Sequence, residues 1–449
     1  MKRSLFLSDA DLYGMIVIPI ESMISSMPKS NVTTPAESRR KRPTAVSLFS
    51  GCGGFCEGIE TAGFDVRVAV ELDKFACQTY RHNFPKTPLL EGDVHEFLMP
   101  DTDHVAEYRL QNIDLVFGGP PCQGFSQIGL RRLDDERNEL YKQYTRVVQA
   151  LQPRVFLMEN VPNLALMNKG HFKKLILKEF AELGYSNTVM LRVAADQYGV
   201  PQTRQRVIFI GTRDTDGFPH DLESFCERVL DQLRTERAVT VGDAIGDLHE
   251  DIVHSGEVMT YPRTRRPSEF LREMRLDYDG AIYSKAAKRS RGLGASPARL
   301  HNHHTKEIQE RRAHLISLLA PGMKADSLPK EIWDNKRPEK WRRLHPDLPS
   351  HTILAQMHRD LSEWVHPRLN RWITVREAAR LQSFHDGFVF QGSEWQQLKQ
   401  IGNAVPPLMA HALGRLAHEV LDALTPAKKD PSKKTLAKRG QLELIPELT

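Results

Sequence analysis

Residues 45–54 read AVSLFSGCGG, a short apolar strand, then a glycine-rich turn, then the opening of a helix that runs from about Gly53 to Ala62. Working outward, Val66–Val70 predicts a second strand and Lys74–His82 a second helix. Ile113–Phe117 is apolar and runs into Gly-Gly-Pro-Pro; Val155–Met158 is apolar and ends at Glu159-Asn160. Phe172, Leu175, Phe180 and Leu183 carry helical spacing across 170–183, and Val207–Ile210 is a late strand. Such alternation implies a parallel sheet with helices on both faces and right-handed crossovers. Regular structure resumes at Thr374–Gln382, where Thr374 and Glu377 have the spacing of a capping box, and a last helix is expected from about Pro406 to Leu424.

The chain has 449 residues, five cysteines and a net charge of +5. The length suits two or three domains, or one large domain with an insertion. Five scattered cysteines exclude a disulfide scaffold and fit a reducing compartment. No apolar run approaches the roughly 18–20 residues of a membrane span, and Asp9, Asp11 and Glu21 break up the N-terminal apolar stretch, which argues against a signal peptide. The charge is unevenly placed. Residues 1–44 carry net +3, 262–371 net +10 and 424–449 net +3, leaving the remainder at −11. One strongly basic segment on an acidic body suits a polyanionic partner; the plain alternative is a solvated surface. The expected organisation is a flexible basic arm (1–44), a catalytic body (45–261 and 372–423), an irregular insertion (262–371) and a basic tail (424–449).

Four places carry chemistry. First, Phe49, Gly51, Gly53 and Gly54 form a turn that a ligand's backbone-hugging group can approach. Glu71, 20 residues after Gly51, can accept hydrogen bonds from two ribose hydroxyls, and Asp93 can receive an adenine amino group. This describes a nucleoside-containing cofactor without separating NAD from S-adenosylmethionine. Second, Pro120-Pro121 present Cys122 at a strand's carboxyl edge, in a polar, glycine-rich setting unlike a core. Third, Glu159 ends a strand, where a carboxylic acid of raised pKa can protonate a ring nitrogen or simply cap a turn. Fourth, Arg204 and Arg206 share a face if their segment is extended. That suits an anion or carbonyl acceptor; a salt-bridged strand edge is the plainer use.

In this order, the four sites resemble the DNA (cytosine-5)-methyltransferase family of restriction–modification type. The resemblance covers about 45–215 and 350–415. It rests on Pro120-Pro121-Cys122, Glu159-Asn160-Val161 and Gln202-x-Arg204-x-Arg206. To these it adds Arg371-x-x-Thr374-Val375-Arg376-Glu377-Ala378-Ala379-Arg380-Leu381-Gln382 and Gln400-x-Gly402-Asn403-Ala404-Val405-Pro406-Pro407. His385 departs from it, since the family usually has proline there. The resemblance implies an α/β, Rossmann-like S-adenosylmethionine-dependent methyltransferase fold, with a mixed sheet between helices and a smaller, irregular target-recognition domain at 262–371.

It further implies Cys122 as nucleophile, Glu159 acting on the ring N3, Arg206 on the cytosine O2, and Arg204 as support. Phe49, Gly51, Gly53, Gly54, Glu71, Asp93 and Asn403 would surround S-adenosylmethionine. The base must be flipped out of duplex DNA. The polar loop from Gln123 to about Arg137 looks like a lid, with Gln123 and Ser126 filling the gap or gripping the strand, or merely solvated. No metal is expected: His301-Asn302-His303-His304 lacks a partner cluster and reads as a polar DNA-facing or surface loop. The implied protein is a cytoplasmic, nucleoid-associated monomer without membrane attachment, with a cognate endonuclease as its functional partner. Three other readings compete. A tRNA-directed enzyme of the same architecture would carry a recognition-region cysteine, and none follows Cys226. A nucleotide-dependent oxidoreductase leaves Cys122, Glu159 and the arginines unexplained. A dead DNA-binding protein would not keep the whole set.

Overall fold

The computed structural model describes residues 42–98, 104–121, 139–166, 170–248, 250–261, 267–276, 282–283, 299–333, 341–355 and 363–424. Seven strands make the main sheet: β1 (Thr44–Leu48), β2 (Asp65–Glu71), β3 (Leu89–Glu91), β4 (Leu115–Gly118), β5 (Val155–Asn160), β6 (Asn187–Ala194) and β7 (Gln205–Thr212). Their order is β3-β2-β1-β4-β5-β7-β6. The first five run parallel, while β7 is antiparallel to both β5 and β6. The sheet is therefore mixed, as the family resemblance implied, and Val207–Ile210 corrects the all-parallel reading of the alternation.

Side-chain alternation builds two cores. Ala45, Leu115, Phe117, Val155, Leu157, Ile208 and Ile210 face one layer. Val46, Leu48, Val116, Phe156, Met158, Val207 and Phe209 face the other. The first layer is covered by α1 (Gly54–Thr61), α2 (Lys74–Asn83), α7 (Leu222–Gln232) and α13 (Pro407–Ala423); the second is covered by α4 (Glu139–Leu151) and α6 (His171–Glu182). Short α3 (His104–Glu107) and α5 (Asn163–Leu166) add Val105 and Leu164 to the second layer. In α13, proline at the first helical position fits its preset φ, and Leu413, Leu416, Ala417 and Val420 are fully buried. Each such leucine or valine contributes about 1.5–3 kcal/mol relative to exposure. Packing of α13 against α1 brings this late helix back beside the first turn.

The rest of the chain adds α8 (Val241–Ile245), α9 (Glu269–Arg275), α10 (Glu310–Ser317), α11 (Val375–Leu381) and α12 (Glu394–Asn403), with strand pairs β8–β9 (Met259–Thr260, Arg299–Leu300) and β10–β11 (Trp341–Arg343, Glu363–Val365). A small separate core of Leu315, Ile316, Leu319, Leu328, Trp341, Val365 and Trp372 forms within this region. By contrast, Phe270, Leu271, Met274 and Tyr283 join the main core.

Buried polar groups also knit this second region together. Arg380 donates to Asp386 at 2.9 and 2.6 Å and to Asp247, and Tyr261 donates to the same Asp386 at 2.6 Å. Arg376 donates to the carbonyls of His301, His385 and Phe388. The stretch 301–304 is therefore not a surface loop. Asn302, His303 and His304 are buried; the Asn302 and His304 carbonyls, Asn302 Oδ1 and His303 Nδ1 meet Arg376 and the start of α11. His385, the departure from the family pattern, is buried too, with Nε2 3.6 Å from Glu57 Oε1. Among the described residues, no helix is long and apolar enough to cross a membrane.

The capping box at Thr374 and Glu377 is present, and Glu377 also takes a two-pronged bond from Arg371 at 2.7 and 2.8 Å. Burial pushes the Glu377 carboxyl up, but Arg371 outweighs it and holds the pKa at about 2, below its ordinary 4.5. A depressed carboxylate stabilises the fold above its unfolded pKa and loses that stabilisation as pH falls through the folded one. Glu377→Gln should therefore cost about 3 kcal/mol at neutral pH, and the gap should close between pH 4.5 and about 2. Denaturant melts of both proteins across that range check it.

Candidate active site

In an open sheet of this kind, ligands bind beyond the carboxyl ends of the strands where the strand order reverses. Here that point lies between β1 and β4, because β2 and β3 extend one way and β4 and β5 the other. The singled-out residues converge there. The glycine turn follows β1, Glu71 closes β2, Asp93 follows β3, Gly119-Pro120 follow β4, and Glu159-Asn160 close β5. Since β7 runs the other way, its first residues, including Arg206, reach the same edge.

The turn is built by backbone that only glycine tolerates well. Gly53 has φ 104°, and a Cβ there would sit 2.3 Å from the ring of Phe84. Gly51 has φ 57° with nothing within 4 Å of the Cβ position, so the turn opens onto free space. Phe49, also at positive φ (53°), is half-buried against the second core layer. Gly54 and Cys52 sit under the returning C-terminal segment. The carbonyl of Gln400 lies 3.8 Å from Cys52 Sγ, and Val405 and Ala404 close over Gly54. Asn403, at the end of α12, is exposed.

Glu71 is held rigidly. Its Oε2 accepts from the Gly51 N–H at 2.7 Å and its Oε1 from the Asp73 N–H at 2.8 Å. Burial raises its pKa, and the Asp73 and Gly51 N–H groups hold that rise back. A carboxylate offers about four acceptor positions, so two remain for hydroxyl donors. Asp93 lies just beyond β3, and its Oδ1 accepts from the His95 N–H at 2.8 Å.

On the other side of the edge, Arg206 Nε lies 2.6 Å from Glu159 Oε1, each side chain only 11–12% exposed. A Cβ on Gly119 would come within 2.8 Å of Glu159 Oε2, so a side chain there would push the carboxyl from its place over that corner. Asn160, absent from the predicted site residues although its motif was quoted, donates from Nδ2 to the Pro120 carbonyl at 3.1 Å and locks β5 to the Pro-Pro corner. The signal that could have found it is its place beside Glu159.

Arg204 lies just before β7, which begins at Gln205, and its partners differ from those of Arg206. It is 2% exposed and donates to the carbonyls of Ile353 (3.1 Å) and Gly402 (3.0 Å). With Gln202, which bonds Ile353 N–H and the Leu381 carbonyl, it fastens the C-terminal segments to the catalytic edge. The structure thus gives Arg204 contacts to the chain's own backbone, and Arg206 the contact to Glu159.

Cys122, Gln123, Ser126 and the rest of the expected lid lie outside the described residues, as do 1–41 and the tail beyond 424. The other four cysteines, Cys52, Cys56, Cys77 and Cys226, are all buried, and burial pushes each thiol up to about 12. None of the four is placed to act as a thiolate.

A family model for C-5 cytosine-specific DNA methylase matches residues 44–418. The chain is 35% identical over 378 residues to the type II methyltransferase M1.HphI of Haemophilus parahaemolyticus, covering 82% of this chain and 85% of that protein. It is 35% identical over 411 residues to the type II methyltransferase M.XorII of Xanthomonas oryzae pv. oryzae, with 87% of each covered. Among solved structures, it is similar to a prophage-encoded E. coli protein described as a DNA modification methyltransferase. That match has a TM-score of 0.67 at 28% identity, covering 85% of this chain and 99% of the other.

Proposed function

Because the chain belongs to the C-5 cytosine-specific DNA methylases, we propose that it methylates carbon 5 of a cytosine flipped out of duplex DNA, within a specific sequence, through a covalent bond from Cys122 to carbon 6. It is a DNA (cytosine-5)-methyltransferase of the type II restriction–modification kind. Acting as the modification partner of a restriction endonuclease, as a cytoplasmic monomer on nucleoid DNA, belongs to the proposal.

The observation that carries the reading is the Glu159–Arg206 pair, set at 2.6 Å over Gly119 at the chain corner that leads into Cys122. Carbon 5 of cytosine is a weak nucleophile. Addition of the Cys122 thiolate at C6 breaks the C5–C6 π bond and moves its electron pair onto C5, which becomes an enamine-like, nucleophilic carbon. Glu159 holds or protonates N3 and draws electrons away from C6. Arg206 donates to the O2 carbonyl while its partner carboxylate is engaged with N3. Arg204 keeps the surrounding segments in place. Loss of the C5 proton and expulsion of Cys122 restore the ring.

The turn and Glu71 fit S-adenosylmethionine: there is open space over Gly51, and two carboxylate acceptor positions remain for ribose hydroxyls. Phe49, Gly51, Gly53, Gly54, Glu71, Asp93 and Asn403 would hold it. When bound, it supplies a methyl group on a positively charged sulfur. The net +10 of 262–371 supports a DNA-reading role for that segment, with phosphate contacts that weaken steeply as salt rises. Gln123 and Ser126 would meet the DNA next to the flipped base.

Expression in a methylation-free host followed by bisulfite sequencing tests the proposal. The expected result is 5-methylcytosine at one recurring sequence. Absence of any new 5-methylcytosine overturns it.

A further inference from the structure

One helix touches both halves of the candidate cofactor site, and it does so through consecutive residues. Gln400 of α12 places its carbonyl 3.8 Å from Cys52 Sγ, under the glycine turn. The residue before it, Lys399, donates from Nζ to Asp73 Oδ2 at 2.7 Å. Asp73 is the hinge of a longer chain of bonds. Its other oxygen caps α2 by accepting from Phe75 and Ala76, and its backbone N–H donates to Glu71 Oε1. Lys399, Asp73 and Glu71 therefore form a continuous hydrogen-bonded path across 326 residues of sequence separation, ending on the acid expected to bind ribose.

We propose that Lys399 is a positioning residue for cofactor binding, acting through Asp73 to hold the Glu71 carboxyl in the orientation that receives the two ribose hydroxyls. The inference rests on the reading of Glu71 as the ribose acid. Glu71 has a second anchor at Gly51, so loss of Lys399 loosens one oxygen and not both. The ion pair is open to solvent at 39% and 33% side-chain exposure and borders a surface pocket lined by Lys74, Phe75, Trp395 and Gln396. Its contribution is therefore modest and screened by salt. Because the path ends on the cofactor and not on the base, its loss acts on affinity for S-adenosylmethionine and not on the chemical step.

The test uses the full chain and three variants, Lys399→Met, Lys399→Arg and Glu71→Ala. S-Adenosylmethionine affinity is measured by calorimetry without DNA, and turnover is measured at saturating cofactor and DNA. Lys399→Met should weaken affinity about three- to fivefold, with kcat within twofold and an unchanged melting temperature. Lys399→Arg should restore the affinity, and 1 M salt should shrink the difference between Lys399→Met and the parent. An unchanged affinity in Lys399→Met overturns the proposal, as does a joint fall in affinity, kcat and melting temperature, which marks a merely structural role. Glu71→Ala separates the two layers: if it too leaves affinity unchanged, the reading of Glu71 fails, whereas a large loss there with none in Lys399→Met sinks the Lys399 inference alone.

Discussion

Cys122→Ala should lower methyl transfer by at least about 10³-fold and remove all covalent capture on DNA carrying 5-fluorocytosine at the target. Fluorine at C5 cannot leave as a proton does, so an enzyme that adds a thiolate to C6 and methylates C5 stays attached. No other cysteine can substitute. The four described thiols are buried with pKa values pushed up to about 12, and two of them, Cys52 and Cys56, belong to the core beneath the glycine turn. Gel-shifted covalent complexes and tritium transfer from labelled cofactor measure the two effects. Affinity for S-adenosylmethionine and for DNA should persist in the variant, which separates loss of the nucleophile from loss of the fold. Capture retained by Cys122→Ala would reject the assignment.

Much of this site was legible because the chemistry and the topology use the same residues. A parallel strand reads as an apolar run, and its carboxyl end is marked by the residue that breaks the run: Gly51 after β1, Glu71 at the end of β2, Gly119 after β4, Glu159 on β5. Direction was not legible in the same way. Val207–Ile210 is as apolar as Val155–Met158, and nothing in a two-residue period says that β7 runs antiparallel. β6 escaped notice because Asn187, Thr188 and Arg192 interrupt its apolar residues. Alternation along the chain does not reveal that Arg204 bonds backbone carbonyls while Arg206 pairs with Glu159. His301–His304 looked solvent-facing because histidine and asparagine usually are. Arg376 and Thr374 meet the His301 carbonyl, Asn302 Oδ1 and His303 Nδ1, which offsets part of the cost of burial. The Lys399–Asp73 contact joins residues with no local pattern in common, so the fold alone shows it.

Glu159→Gln should slow single-turnover methylation by about 10²–10³-fold while changing DNA affinity by no more than a few-fold. Glutamine keeps the shape and a hydrogen bond but neither carries the charge that Arg206 faces at 2.6 Å nor supplies a proton to N3. Arg206→Ala should cost a similar factor, because it leaves Glu159 without its partner and O2 without a donor. The double variant discriminates between mechanisms. If Glu159 and Arg206 serve as one unit, polarising the two ends of the same N3–C2–O2 edge, removing both should cost little more than removing either. If they act independently, the two factors should multiply. The pair's geometry favours the first outcome, since each side chain is mostly enclosed and the two are ion-paired to each other. Single-turnover assays on the three variants, with capture on 5-fluorocytosine DNA as a second readout, decide between these outcomes. Glu159→Gln activity within threefold of the parent would remove Glu159 from the chemistry altogether.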